Sequence, residues 1–198
     1  HSHSYMEVIN VTEVTKVFNS TKAVNRVSFT CSKGRIFGLL GPNGAGKTTT
    51  IRMINNILAP DSGSITINGQ PVSGKTQQWI GYMPEERGLY RKMKVGEQLL
   101  FLAQLKGLSY AEAHNKIRYW LDRFNIQDWY NKEVGELSKG MSQKVQFIAT
   151  IVHDPDIYIF DELFGGLDPI NSELLKEIII ELRHHNKTIL FSTHRMEQ

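Results

Sequence analysis

After Arg35, short apolar runs alternate with stretches of helical period, the pattern of a parallel sheet whose strands are joined by crossover helices. The first such run, Ile36–Leu40, ends at a glycine-rich loop. A helix is expected to start near Lys47, with Ile51, Ile54 and Leu58 on its inner face. Ahead of this region, 7–16 and 23–30 read as antiparallel strands, joined by 64–68 after the turn Asp61-Ser62-Gly63. Together they predict a small β layer beside the parallel sheet.

From 95 to about 125 the period is helical: Leu99, Leu102 and Ala103 share one face, and Ile117, Trp120, Leu121 and Phe124 another. Ser109 with Glu112 forms a capping box that starts the second helix. Residues 92–135 are therefore expected to be a helical insertion in a single domain, with 6–91 and 136–198 forming the core around it. The core resumes with a helix from Ser138, a strand at Ile157–Phe160, a helix over 170–184 and a strand over 188–191. Leu175, Ile178, Ile179 and Leu182 supply the buried stripe of the later helix; Asp168 can cap it and Pro169 fits its first turn.

The loop after the first apolar run reads Gly41-Pro42-Asn43-Gly44-Ala45-Gly46-Lys47-Thr48. Backbone N–H groups facing inward at a helix N-terminus bind phosphate without bulky side chains, and Gly41, Gly44 and Gly46 allow that tight path. Lys47 is expected between the β- and γ-phosphates of a nucleotide, the Thr48 hydroxyl on Mg²⁺, and Thr49 on the α-phosphate. Asp161 lies at the C-terminal end of an apolar strand, where ligand sites cluster in parallel sheets, and is positioned to hold Mg²⁺. An acidic pair such as Asp161-Glu162 is otherwise a cap or a solvated charge; the preceding run IYIF and the upstream loop favour the metal. Ser138 and Gly140 sit where a helix begins, so hydroxyl and N–H could point at a phosphate, or the serine could be a plain N-cap.

These motifs, in the order glycine loop, LSKGM from Leu137, IYIFDE ending at Glu162 and His194 after a strand, resemble the ATP-binding cassette (ABC) family, the ATPase subunits of membrane transporters. The resemblance runs from about Glu7 to the last residue and implies a P-loop NTPase core of the α/β class. It implies ATP and Mg²⁺ as cofactors, Glu162 as general base, and His194 as the switch histidine on the γ-phosphate. Phe18 occupies the place of an aromatic stacked on adenine, and a buried or turn aromatic is the other reading of it. Ser138 and Gly140 would contact ATP held by an opposite subunit, and Asp168 would belong to the loop linking the two sites across a dimer. Where the family has LSGGQ this chain has Lys139 and Met141, and Glu85 stands in place of a metal-contacting glutamine. The segment GYMPEERGLY from Gly81 is similar to ATPases of bacterial exporters.

Composition narrows the setting. With 198 residues, 40% of them hydrophobic, the chain can bury a core, and a net charge of +3 is too scattered to suggest nucleic acid as partner. One cysteine, Cys31, excludes an internal disulfide and fits a reducing compartment. No apolar run approaches the roughly 20 residues needed to cross a bilayer. Residues 1–5 resemble a tag remnant ahead of Met6, and the stop just past His194 suggests that a C-terminal part is missing.

The resemblance therefore implies an ATP-hydrolysing subunit, cytoplasmic and peripheral on the inner face of the cell membrane. Its expected partners are a membrane-spanning permease and a second ATPase subunit, identical or not. The alternatives are a soluble ABC-type ATPase of DNA repair or translation, or a nucleotide-responsive module with little turnover. Proteins of the first kind carry long coiled-coil insertions or tandem cassettes, and neither is present here.

Overall fold

The computed structural model of the chain describes residues 6–41, 46–85, 88–162 and 169–193. Two four-stranded sheets are found among these residues. In the first, β1 (Glu7–Phe18), β2 (Thr21–Ser32), β4 (Ser62–Ile67) and β5 (Gln70–Pro71) run antiparallel in the order β2-β1-β4-β5. In the second, β3 (Ile36–Leu40), β6 (Ile80–Met83), β7 (Ile157–Phe160) and β8 (Thr188–Thr193) run parallel in the order β3-β8-β7-β6.

Five α-helices connect them: α1 (Lys47–Ile54), α2 (Val95–Leu105), α3 (Tyr110–Arg123), α4 (Lys139–Ile151) and α5 (Pro169–His184). Ser109 caps α3 as expected, its hydroxyl accepting from Glu112 N at 3.2 Å, while the Glu112 carboxylate meets that hydroxyl at 2.9 Å in place of the backbone N–H of a full capping box.

The parallel sheet is the middle layer, and β7 shows why its sequence is apolar at every position. Ile157 and Ile159 pack with α1 and the antiparallel sheet, while Tyr158 and Phe160 pack with α2, α3, α4 and α5. A strand buried on both faces cannot alternate with polar residues. Aromatic contacts tie the helical side to the strand: Phe124 meets Phe147 at 5.9 Å between centroids, and Phe147 stacks on Phe160 at 5.1 Å. Asp161 follows that anchored strand directly.

The stretch holding α2 and α3 leaves and rejoins the core through paired backbone. Gly135 N donates to Arg91 O at 2.8 Å, Val134 N to Met93 O at 2.9 Å and Val95 N to Lys132 O at 2.8 Å. Its apolar faces, Leu99 and Ala103 on α2 and Ile117 and Leu121 on α3, join the same hydrophobic cluster as α4 and α5.

Three departures from the sequence pattern have local causes. Helix α1 closes at Asn55, whose side-chain amide donates to Ile51 O at 2.9 Å, so Leu58 joins the cluster shared by α1 and the two sheets from beyond the helix end. The strand β6, at the edge of the parallel sheet, was not expected; it is four residues long and contains Gly81. The two N-terminal strands extend further than the pattern suggested, to Phe18 and from Thr21, through a turn at Asn19 and Ser20 that both adopt positive φ.

Candidate functional site

The start of α1 is the centre of the site. Gly46 precedes it with φ +80°, and a Cβ there would lie 2.2 Å from the Ala23 carbonyl oxygen, so only glycine allows this approach. Among the described residues the helix has no side-chain cap, and its first turn holds no acidic residue. Its leading amides and the positive end of its dipole are thus left for an anion. Gly46, Lys47, Thr48 and Thr49 line a cavity of about 300 Å³ together with Ala23, Glu85 and Glu162.

Lys47 is held down inside this cavity. Its ammonium donates to the Gly41 carbonyl and pairs with Glu162 Oε1 at 3.6 Å, with the two side chains 9% and 8% exposed. So dry an ion pair is hard to break by removing one partner, yet either partner can be exchanged for another charge of the same sign.

Asp161 sits at the end of β7, 2% exposed. The Ser192 hydroxyl donates to its Oδ1 at 2.6 Å, and the Thr48 hydroxyl reaches the same oxygen at 3.4 Å. The other oxygen, Oδ2, is buried and has no hydrogen-bond partner among the described residues. A bare carboxylate oxygen in a dry place calls for a cation or a metal-bound water. Burial, reinforced by the Asp161 charge, pushes the Tyr82 phenol on β6 up to about 12, so it stays protonated there. Glu162 adopts a left-handed backbone, φ +57°, and its N–H donates to Ser192 Oγ at 2.9 Å.

Among the described residues no three His, Cys, Asp or Glu side chains come together as a metal cage. Mg²⁺ is held by one or two protein oxygens and the phosphates it accompanies. Thr48 and Asp161 are the residues present for it, and Glu85 is an exposed carboxylate at the same cavity.

The structure thus brings Gly46, Lys47, Thr48, Thr49, Asp161 and Glu162 to one place, with Gly41 touching Lys47. Ser138 and Gly140 do not line that cavity; the Ser138 hydroxyl caps α4 by accepting from Met141 N at 3.2 Å. Phe18 does not line it either: its ring is 43% exposed at the end of β1, with the Lys16 ammonium 5.6 Å from its centroid. Pro42, Asn43, Gly44, Ala45, Asp168 and His194 lie outside the described residues. Sequence reasoning missed Ser192. The available signal was a polar residue closing an apolar strand, two positions before His194.

A second cavity, of about 350 Å³, opens between β6 and α2, with Ile80, Tyr82, Leu89, Leu102, Leu105 and Lys106 among its walls. His153 also lines it, and burial pushes that imidazole down to about 4.

Residues 24–165 match the family described as ABC transporter. The chain belongs to that family. Among relatives of this ABC transporter chain, the uncharacterized ABC transporter ATP-binding protein YhaQ of Bacillus subtilis (strain 168) is 52% identical over 190 residues, covering 96% of this chain and 64% of YhaQ. Nod factor export ATP-binding protein I of Burkholderia lata is 37% identical over 193 residues, with 96% of this chain and 64% of that protein covered. This ABC chain therefore spans less than two thirds of the length of these relatives. A solved structure of the ATP-binding subunit of an ABC transporter superposes with a TM-score of 0.87 at 33% identity, covering 94% of this chain and 79% of that one. The mixed α/β architecture is that of ABC ATPase domains with the P-loop fold.

Proposed function

We propose that this chain is the ATP-hydrolysing part of an ABC-type transporter, working on the cytoplasmic face of a membrane beside a separate membrane-spanning permease. The observation that carries the reading is the meeting, in one cavity, of an uncapped helix start, a buried Lys47–Glu162 pair and the Thr48–Asp161 contact.

In this reading the triphosphate replaces the Glu162 carboxylate as the counter-charge of Lys47. The α1 amides cradle the β-phosphate, Lys47 spans the β- and γ-phosphates, and Thr49 bonds the α-phosphate. Thr48 and Asp161 hold Mg²⁺, with Glu85 contributing from the rim. When bound, Mg²⁺ neutralises charge developing on the transferred phosphoryl oxygens. Glu162, released from Lys47, polarises the attacking water as general base, a role worth about 10²–10⁴ in rate. His194 orients that water and contacts the γ-phosphate, and Phe18 stacks on the adenine.

Two copies, or this chain and a similar one, sandwich two ATP molecules. Ser138 and Gly140 of each copy then reach the opposite nucleotide, with Asp168 linking the sites, and the exposed N-terminus of α4 suits such a contact. Lys139 is exposed there as well and would add a cation facing the partner's phosphates. Residues 92–135 act as an inserted arm on the core, a division supported by the paired backbone at its two ends. The apolar cavity between β6 and α2 receives a segment of the permease. Export is the direction favoured by the relative named for Nod factor export.

Mg²⁺-dependent phosphate release from ATP, measured at several protein concentrations with Glu162→Gln as control, tests the reading. A rate rising faster than linearly with protein and abolished by the substitution is expected. ATP binding with no turnover in the parent chain would sink the hydrolytic assignment.

A further inference from the structure

We infer that Ser192 is a positioning residue for the metal and for the base. It fixes which oxygen of Asp161 is offered to Mg²⁺ and where the backbone of Glu162 is held. The inference rests on the reading of this cavity as a Mg²⁺–ATP site and adds to it a residue that no motif supplied.

The register of the sheet creates the contact. Phe160 on β7 pairs with Phe191 on β8, so the next residues, Asp161 and Ser192, emerge side by side at the strand ends. Ser192 is fully buried. Its hydroxyl is used in both senses: it accepts from Glu162 N at 2.9 Å and donates to Asp161 Oδ1 at 2.6 Å. The Glu162 N–H can only donate, so the single proton of the hydroxyl goes to its other neighbour, Asp161 Oδ1.

Two consequences follow for the chemistry. Among the described residues both donors that reach Asp161, Ser192 and Thr48, go to Oδ1, and Oδ2 is buried without a partner. The carboxylate cannot exchange its two oxygens without breaking the 2.6 Å bond. The bond to Glu162 N holds a residue whose left-handed backbone, φ +57°, is otherwise unfavourable, and that conformation accompanies the pairing of Glu162 with Lys47. One hydroxyl thereby registers metal ligand and base to each other. A serine here does the work of the outer-shell partners that orient ligands at other metal centres.

Ser192→Ala removes the hydroxyl with little change of volume. Binding of a fluorescent, non-hydrolysable ATP analogue is measured in EDTA and across a Mg²⁺ titration, and phosphate release across the same titration. In EDTA the variant binds as the parent does. The Mg²⁺ concentration for half-maximal effect rises about tenfold to a hundredfold, and kcat falls by a similar factor, as for other outer-shell losses. KM for ATP at saturating Mg²⁺ stays near the parent value. A folded alanine variant with unshifted Mg²⁺ dependence overturns the inference. If the alanine variant does not fold, Ser192→Cys, similar in size but a weak donor, carries the same test in the same direction. A parent chain whose ATP binding is not strengthened by Mg²⁺ would instead sink the proposed function, so the two failures are separable.

Discussion

Lys47 and Glu162 face each other at 3.6 Å inside the nucleotide cavity, each less than a tenth exposed. The residue proposed to grip phosphate and the residue proposed to activate water therefore neutralise one another in the structure as it stands. On the proposed reading, nucleotide entry exchanges one anion for another, because a buried Lys47 left without a counter-charge is costly. That exchange would release Glu162 as a phosphate arrives.

Glu162→Gln is expected to separate binding from turnover. The amide keeps the size of the side chain but offers Lys47 no charge, so the ammonium is available to phosphate without competition. ATP should bind at least as tightly as to the parent, while turnover falls by about 10²–10⁴ through loss of the base. Nucleotide titration and single-turnover phosphate release check the two halves separately. Weaker ATP binding in the variant would show that Glu162 supports the Lys47 geometry rather than competing with phosphate.

Gly46→Ala is expected to damage both fold and site. The added Cβ would meet the Ala23 carbonyl oxygen at 2.2 Å, and φ +80° is unfavourable for alanine. Backbone strain of this kind costs about 1–3 kcal/mol, and the clash adds to it. Relief can come only by moving β2 from α1 or rotating the first turn, and either move displaces the amides that face the anion. A lowered urea midpoint together with lost ATP-analogue binding is the expected result; normal binding would sink the close-approach argument.

Much of this candidate site is legible in the sequence. The glycine loop, the strand ahead of it and the helix after it each have a local pattern, and Asp161 stands out as a charge at the end of four buried residues. The partners of these residues were not legible. Lys47 meets Glu162, and Asp161 meets Ser192, only because the parallel sheet places β3, β8 and β7 side by side, and strand order leaves no trace in local periodicity. Strand β6 was missed because four residues around a glycine are too few to show a period. Leu58 was placed on α1 because its spacing continues the helix face, while Asn55 bonds back to Ile51 and ends the helix first.

Cys31 is expected to be chemically silent in the folded chain. It is 1% exposed on β2, and burial pushes its thiol up to about 12, so almost no thiolate exists at neutral pH. The thiolate is the nucleophile in disulfide exchange, and access is blocked as well. An aromatic disulfide reagent should release no chromophore from the native protein and one equivalent per chain in denaturant, since Cys31 is the only cysteine. Prompt reaction of the native chain would mean that the β layer opens readily.

His153 predicts the acid side of the stability curve. Burial, and then the positive charge of Lys106, push its imidazole down to about 4, with Asp154 opposing and Lys116 adding a smaller push. An unfolded histidine titrates near 6.5, so the unfolded chain takes up a proton before the folded one does. The sign follows: stability from the neutral ring is complete above about pH 6.5 and is lost as pH falls toward about 4, below which both states are protonated. Allowing for partial solvent screening, the loss attributable to this group is about 2 kcal/mol. Urea midpoints of the parent and of His153→Gln at about pH 7 and about pH 5 isolate it, since the carboxylates are common to both proteins. The parent should lose more stability between the two pH values than the variant. Equal losses would mean that the wall of the β6–α2 cavity admits enough water to protonate the ring in place.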